Sequence, residues 1–173
     1  MPKKLGGGET MNEMHVYHGG TEIIEKPICQ YGRPNLDFGR GFYVTNLRQQ
    51  AVEWAMLVSQ KRKKTPILNK YVLNRDAILA EARCKIFEAY DVGWLEFIVA
   101  SRLGQTPYAH YDYIEGGVAN DRVIDTVNLY IAGLMDLNTA LNRLSMHKPN
   151  NQMCLLNQEI TDNYLIFDGT EEL

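Results

Sequence analysis

Two short motifs near the start of the chain combine residue types that can bind a flat, polar ligand. His18 is followed by Gly19 at the end of one apolar run, and Tyr43 follows glycines at positions 39 and 41 in the next run. A neutral histidine can donate a hydrogen bond from one ring nitrogen and accept one at the other, which suits sugar hydroxyls. A tyrosine ring offers a stacking surface, and glycine lets a ligand approach the backbone. The structural alternatives are a strand-end histidine and a core tyrosine.

The elements that must position these motifs are short and mixed. Apolar residues recur at three- and four-residue spacing from Leu47 to Val58, which predicts an amphipathic helix over 47–61 with Asn46 as its N-cap. Strands are predicted at 14–18, 42–45, 66–73, 84–87, 111–119, 152–156 and 164–167. Further helices are predicted at 91–103, 121–131 and 138–144, with a helical turn or loop at 158–162. Strands and helices without regular alternation favour an α+β fold.

Two stretches between these elements are expected to be irregular. Residues 26–41 contain two prolines and three glycines, which predicts a long loop, and 74–76 reads as a turn. Trp54 and Trp94 are expected in the core.

Composition limits the class of protein. A chain of 173 residues, of which 45% are apolar and 23% charged, is typical of one ordinary globular domain. We expect a flexible lead-in at 1–12 and a single domain at 13–173. The net charge of -3 argues against nucleic-acid binding through bulk charge and leaves a local patch open. Three widely spaced cysteines predict neither a zinc site nor a disulfide framework, and with no apolar run of membrane-spanning length they favour a cytoplasmic location.

Four segments, at 16–20, 37–45, 116–121 and, more weakly, 150–154, carry a family resemblance. They resemble the ADP-ribosyltransferase superfamily, in the branch whose signature is a His, a Tyr and a Glu. From residue 14 onward the chain is similar to a bacterial family of uncharacterised members of that superfamily, the DUF3990 family. The resemblance implies split mixed sheets with flanking helices around an NAD cleft.

The same resemblance implies roles for individual residues. His18 would hold the ribose on the adenosine side, Gly19 would contact the nicotinamide carboxamide, and Tyr43 would stack on the nicotinamide ring. Arg40 and Phe42 join the expected NAD-binding residues. Independently of the resemblance, the position of Arg40 in the glycine loop would let it meet a pyrophosphate, and a solvated arginine is at least as good an interpretation.

The chain departs from the family pattern at the Glu, which precedes or opens a late strand. Gln152 takes that place, and a neutral amide offsets developing positive charge less well than a carboxylate. Three interpretations stay open. Gln152 suffices for transfer, Asp121 supplies the charge from another element, or the site binds NAD without efficient turnover. Asp121 at a predicted helix start is also a good cap.

The expected function is NAD-dependent mono-ADP-ribosyl transfer, with NAD as the substrate. The acceptor stays open between protein, nucleic acid and small molecule. A bacterial toxin of a toxin–antitoxin pair, with its antitoxin as partner, or another intracellular effector is the expected context. The alternatives are an NAD glycohydrolase on the same scaffold and a non-catalytic module that binds NAD, ADP-ribose or a protein. No metal and no membrane contact is expected.

Overall fold

The computed structural model describes residues 13–33, 36–120 and 122–173, and these residues form an α+β fold of two open β-sheets and six α-helices. The strands are β1 Met14–Gly20, β2 Phe42–Val44, β3 Ile67–Leu73, β4 Cys84–Ile86, β5 Tyr113–Gly116, β6 Gln152–Leu155 and β7 Leu165–Glu172. The helices are α1 Arg48–Arg62, α2 Arg75–Glu81, α3 Val92–Arg102, α4 Ile124–Ile131, α5 Leu137–Leu144 and α6 Gln158–Tyr164. The lead-in predicted at 1–12 lies outside the described residues.

A backbone bridge joins the two sheets. The first sheet has the order β1-β3-β7 and is antiparallel, and the second has the order β2-β6-β5-β4 with a parallel β4–β5 pair. Tyr17 and Thr45 exchange two backbone hydrogen bonds, with N···O distances of 2.8 and 2.9 Å. This bridge joins the end of β1 to the end of β2, so that His18 comes to lie beside Tyr43.

The core forms two clusters, one on each face of the second sheet. Phe38, Trp94 and Ile114 belong to the cluster under α3 and α4, and Tyr71 and Met153 to the cluster between the sheets. Alternate residues of a strand face opposite sides, which is why neighbouring strand residues divide between the clusters.

The two tryptophans differ in burial. Trp94 is fully buried and donates its Nε1–H to the carbonyl of Gly117 at 2.7 Å, as the sequence predicted for a core residue. The prediction for Trp54 is wrong, because its side chain on α1 is 51% exposed.

Several element boundaries differ from the sequence prediction. The strand β5 is shorter than the predicted 111–119, β7 extends to Glu172 beyond the predicted 164–167, and three helix starts also differ. Asn46 does not cap α1; Leu47 occupies the N-cap position without a side-chain bond. The turn predicted at 74–76 is the start of α2, where the Asn74 side chain accepts from the amide of Ala77, because the residues that favour turns also favour N-caps. The helix predicted at 121–131 begins at Ile124, and Asp121 lies outside the described residues.

Candidate functional site

A cleft of about 680 Å³ opens where the two sheets part. Five residues that the sequence singled out line it together: His18 and Gly19 from β1, Phe42 and Tyr43 from β2, and Gln152 from β6. These residues are far apart in sequence, and the Tyr17–Thr45 bridge and the β2–β6 pairing bring them to one place.

His18 has one ring nitrogen engaged and one available. Its Nδ1 lies 2.7 Å from the carbonyl oxygen of Tyr43, which fixes the tautomer with the proton on Nδ1. The ring stacks on Phe42 with 4.4 Å between centroids. Burial lowers the pKa of His18, and the hydrogen bond to Tyr43 acts in the opposite direction without cancelling this effect. His18 is therefore neutral and presents Nε2 as a hydrogen-bond acceptor.

Gly19 is required by the packing of β1 against α1. A Cβ at this position would lie 2.1 Å from the carbonyl oxygen of Ala51 in α1, far inside van der Waals contact. The neighbouring Gly20 has no such constraint, because its Cβ would meet only His18 Nε2, at 3.9 Å. Helix α1 therefore packs directly against β1, the strand that carries His18.

Tyr43 uses its hydroxyl to hold the loop before β2. The hydroxyl donates to the carbonyl of Gly39 at 2.7 Å and accepts from the amide of Phe38 at 3.1 Å. Gly39 has a φ of 91°, a conformation that favours glycine. Burial raises the pKa of Tyr43, so it stays a neutral phenol. Its hydroxyl is engaged by the protein, and the half-buried ring is the part that lines the cleft.

Asp37 forms a buried ion pair that the sequence did not reveal. Its Oδ1 accepts from Nε and Nη2 of Arg102 at 3.0 and 2.8 Å, and its Oδ2 accepts from the amide of Ala119 at 2.7 Å. The carboxylate is 7% exposed. The pair ties the loop before β2 to the end of α3 and to the segment after β5. Since the two residues are 65 positions apart, no local pattern could have indicated it.

Gln152 opens β6 on the face that carries Tyr43. Tyr43 pairs directly with Cys154, and Gln152 lies two residues before Cys154, so the three side chains share a face. Glu115, two strands away from Tyr43 in the same sheet, pairs with Met153 and therefore faces the other side. Its Oε2 accepts from Arg75 Nε and from Tyr113 Oη, both at 2.8 Å. Glu115 is therefore not a cleft residue.

The charges around the cleft favour an anionic ligand. Four cationic side chains line it: Lys26, Arg33, Arg62 and Arg102. Among the described lining residues the carboxylates are Asp37 and Glu22, and Glu22 lies 3.8 Å from Lys64. Both carboxylates thus have a cationic partner. Arg40 is exposed and does not line the cleft, so the other arginines are better placed for a pyrophosphate.

Two features are absent from the described part of the chain. In residues 13–33, 36–120 and 122–173, no group of three or more His, Cys, Asp or Glu side chains is arranged to hold a metal ion. No helix among these residues combines the length and the apolar character that crossing a membrane requires.

The described residues form a mixed α+β domain with a cleft between two sheets. The chain belongs to the family described as "Protein of unknown function (DUF3990)", whose model matches residues 14–167. That range includes every cleft residue discussed above. No curated protein and no solved structure matches the chain.

Proposed function

We propose that this protein binds NAD in the cleft and transfers its ADP-ribosyl group to an acceptor, as a mono-ADP-ribosyltransferase. The observation that carries the proposal is the direct contact between His18 and Tyr43, at 2.7 Å, in a cleft that Gln152 also lines. The resemblance to the His-Tyr-Glu branch of the superfamily rests on these same positions. The fold is accordingly proposed to be of the ADP-ribosyltransferase type.

Three parts of NAD have a matching feature in the cleft. The ring of Tyr43 provides a stacking face for nicotinamide, and Nε2 of His18 can accept a hydrogen bond from a ribose hydroxyl. The pyrophosphate carries two negative charges, and the four cations around the cleft exceed its two carboxylates. Arginine is well suited to such oxygens because its planar guanidinium donates in pairs.

Cleavage would break the bond between C1′ of the ribose and the nicotinamide nitrogen. Nicotinamide leaves as a neutral molecule with the bonding electron pair, and positive charge develops on the ribose as in glycoside cleavage. The Gln152 side chain can orient a ribose hydroxyl and direct its carbonyl dipole toward this charge. It cannot take a proton from an acceptor, which the Glu of the resembling enzymes would do.

A second candidate function follows from Gln152 itself. A cleft whose described carboxylates are both paired with cations, and which has an amide at position 152, also suits a module that binds NAD or ADP-ribose without turnover.

Water as the acceptor would make the protein an NAD glycohydrolase. The role as a bacterial toxin or effector, and its antitoxin partner, rest on the resemblance alone.

The test measures NAD binding by thermal shift and nicotinamide release by chromatography. We expect Tyr43→Ala to weaken NAD binding about 5-fold, since aromatic stacking contributes about 1 kcal/mol. Tyr43→Phe should bind NAD within about 3-fold of wild type while unfolding more easily, because it keeps the ring and loses two hydrogen bonds to the loop.

Tyr111→Ala, which removes a half-buried tyrosine outside the cleft, is the control. If wild-type protein shows neither a shift with NAD nor nicotinamide release, the proposal is wrong. A shift without release would favour the binding module.

A further inference from the structure

The chain leaves the second sheet and reaches the first sheet at Thr45, directly after β2. The antiparallel pairing of β2 with β6 ends at Val44 and Met153, and the next pair in that register would be Thr45 with Gln152. Thr45 instead uses its backbone N–H and carbonyl for the bridge to Tyr17, at 2.9 and 2.8 Å. Because both backbone groups of Thr45 are engaged by β1, the ladder between β2 and β6 stops one residue short of Gln152.

The hydroxyl of Thr45 replaces the missing connection to β6. Its Oγ1 donates to the carbonyl of Asn151, the residue just before Gln152, at 2.6 Å, and accepts from the amide of Leu47 at 3.1 Å. Thr45 is 2% exposed, so water is not at hand to replace this bond if the hydroxyl is removed. Since the only hydrogen of the hydroxyl is used, Thr45 has no side-chain donor left for a ligand.

Two neighbours of Thr45 also contact Asn151, but more weakly. Asn46 Oδ1 accepts from Asn151 Nδ2 at 2.8 Å, and Gln50 Nε2 donates to the Asn151 carbonyl at 3.3 Å. The first bond is exposed to solvent and the second is long for a hydrogen bond, so each contributes less than the bond from the buried hydroxyl. Thr45 is therefore the main link between the start of α1 and the segment before Gln152.

The other edge of β6 holds Gln152 by backbone pairing. Gln152 pairs with Gly116 of β5, and this pairing fixes its position along the second sheet. It does not fix how far the start of β6 lies from β2. Without the Thr45 hydroxyl, the backbone at Gln152 would be attached firmly along one edge only, and its side chain could move away from Tyr43.

Thr45 thereby connects the three residues on which the proposed reaction depends. Its backbone partner in β1 directly precedes His18, its side-chain partner directly precedes Gln152, and Tyr43 lies two positions before it in the chain. In the described part of the chain, these contacts bring β1, β2 and β6 together beside the cleft, which Thr45 itself lines.

We propose that Thr45 is a positioning residue whose hydroxyl holds Gln152 at its place in the cleft relative to Tyr43. The catalytic consequence rests on the proposed function, whereas the placement of Gln152 does not. A reacting group misplaced by about 1 Å can lower a rate by about 100-fold, because an amide stabilises charge only when it faces that charge. Stacking and charge contacts supply NAD affinity, so loss of the hydroxyl acts on the rate more than on binding.

Three variants separate positioning from stability. Thr45→Val keeps the shape of the side chain and removes the hydroxyl, and Thr45→Ser keeps the hydroxyl. Thr161→Val is the matched control, because Thr161 is equally buried and its hydroxyl also donates to a backbone carbonyl, that of Asn157 at 2.8 Å, outside the cleft. Both valine variants should unfold at a lower urea concentration than wild type, since each loses a buried hydrogen bond.

Nicotinamide release provides the functional readout, at a temperature at which every variant is folded. We expect kcat to fall about 10-fold in Thr45→Val with KM within about 3-fold of wild type, and Thr45→Ser to restore kcat to within about 3-fold. Thr161→Val should keep the wild-type kcat. In a Gln152→Ala background, Thr45→Val should lower kcat by no more than about 2-fold, because the side chain that it positions is gone. An equal fall in kcat in both backgrounds, or in Thr161→Val, would overturn the inference and leave the proposed function standing.

A measurement without NAD tests the placement itself. Relaxation of ¹⁵N nuclei gives the order parameter of the Gln152 backbone amide, which we expect near about 0.85 in wild type and Thr161→Val and to fall toward about 0.6 in Thr45→Val. An unchanged order parameter in Thr45→Val would overturn the inference, whatever the protein does with NAD. Wild-type protein that neither binds NAD nor releases nicotinamide would overturn the proposed function alone, because the order parameter still decides the role of Thr45.

Discussion

The two sheets contribute to the cleft in different ways. On the first sheet, His18 and Gly19 are fixed by the fold itself: Nδ1 of His18 is bonded to a neighbouring carbonyl, and Gly19 is required by the helix behind it. On the second sheet, Tyr43 has a structural hydroxyl and an available ring, while Gln152 lines the cleft with no side-chain hydrogen bond to any described residue.

This difference shows which substitutions can report on function. A change at Gly19, His18 or Tyr43 alters the fold and the cleft together, so a loss of NAD binding in such a variant is ambiguous without a stability measurement. A change at Gln152 alters the cleft with little structural consequence. Function is therefore best tested at Gln152 of the second sheet, and the architecture of the cleft at Gly19 of the first.

The largest effect is expected at the contact between β1 and α1. Gly19→Ala should lower the free energy of unfolding by about 3 kcal/mol, because the new Cβ meets the backbone of α1 and neither element can move easily. Gly20→Ala, at the next position, should change it by no more than about 0.5 kcal/mol. Urea denaturation of the two variants measures the difference. Equal stability of the Gly19→Ala and Gly20→Ala variants would show that β1 does not pack directly against α1.

Two ion pairs of similar burial can distinguish a role in NAD binding from a role in stability alone. The Asp37–Arg102 pair borders the cleft, whereas the Arg75–Glu115 pair faces away from it. Asp37→Asn and Glu115→Gln should each cost about 2 kcal/mol of unfolding free energy, since a partly exposed arginine loses its partner. Only Asp37→Asn should also weaken NAD binding, because it releases the loop before β2. Equal loss of NAD binding in both variants would contradict this assignment.

Local sequence patterns were sufficient for most of the secondary structure and for part of the site. The strands that carry His18, Tyr43 and Gln152 follow from short apolar runs bounded by glycine or asparagine. The seven-residue α2 was missed because it buries only Ile78, which is too little for a helical period to be visible.

The parts of the site that depend on long-range contacts could not be predicted. Arg102 at the end of α3 resembles any solvated arginine, and only the fold brings it to Asp37. Charges that are distant in sequence carry no signal of their joint position.

Introducing a carboxylate at position 152 should test the role of the second sheet in the proposed reaction. Gln152→Glu places an ionisable group at the start of β6, where it can remove a proton from water and stabilise positive charge on the ribose. We expect nicotinamide release without added acceptor to rise about 10-fold or more. Gln105→Glu, an exposed glutamine outside the cleft, is the matched control. Unchanged release in Gln152→Glu, with NAD still bound, would remove position 152 from the reaction.

The smallest effect is expected in the pH dependence of stability, and it tests the first sheet. Because burial holds the pKa of His18 below its ordinary value, the unfolded chain binds this proton more readily than the folded one. The contribution of His18 to stability is therefore complete above the unfolded pKa, near 6.5. It declines as the pH falls from that value toward the lower folded pKa.

Wild-type protein should accordingly lose more unfolding free energy between pH 7.5 and pH 5.5 than His18→Gln does, as measured by urea denaturation at both values. His110→Gln, at an exposed position, should behave like wild type. An identical pH dependence in wild type and His18→Gln would mean that His18 is not held neutral, and Nε2 could then not serve as the acceptor for a ribose hydroxyl.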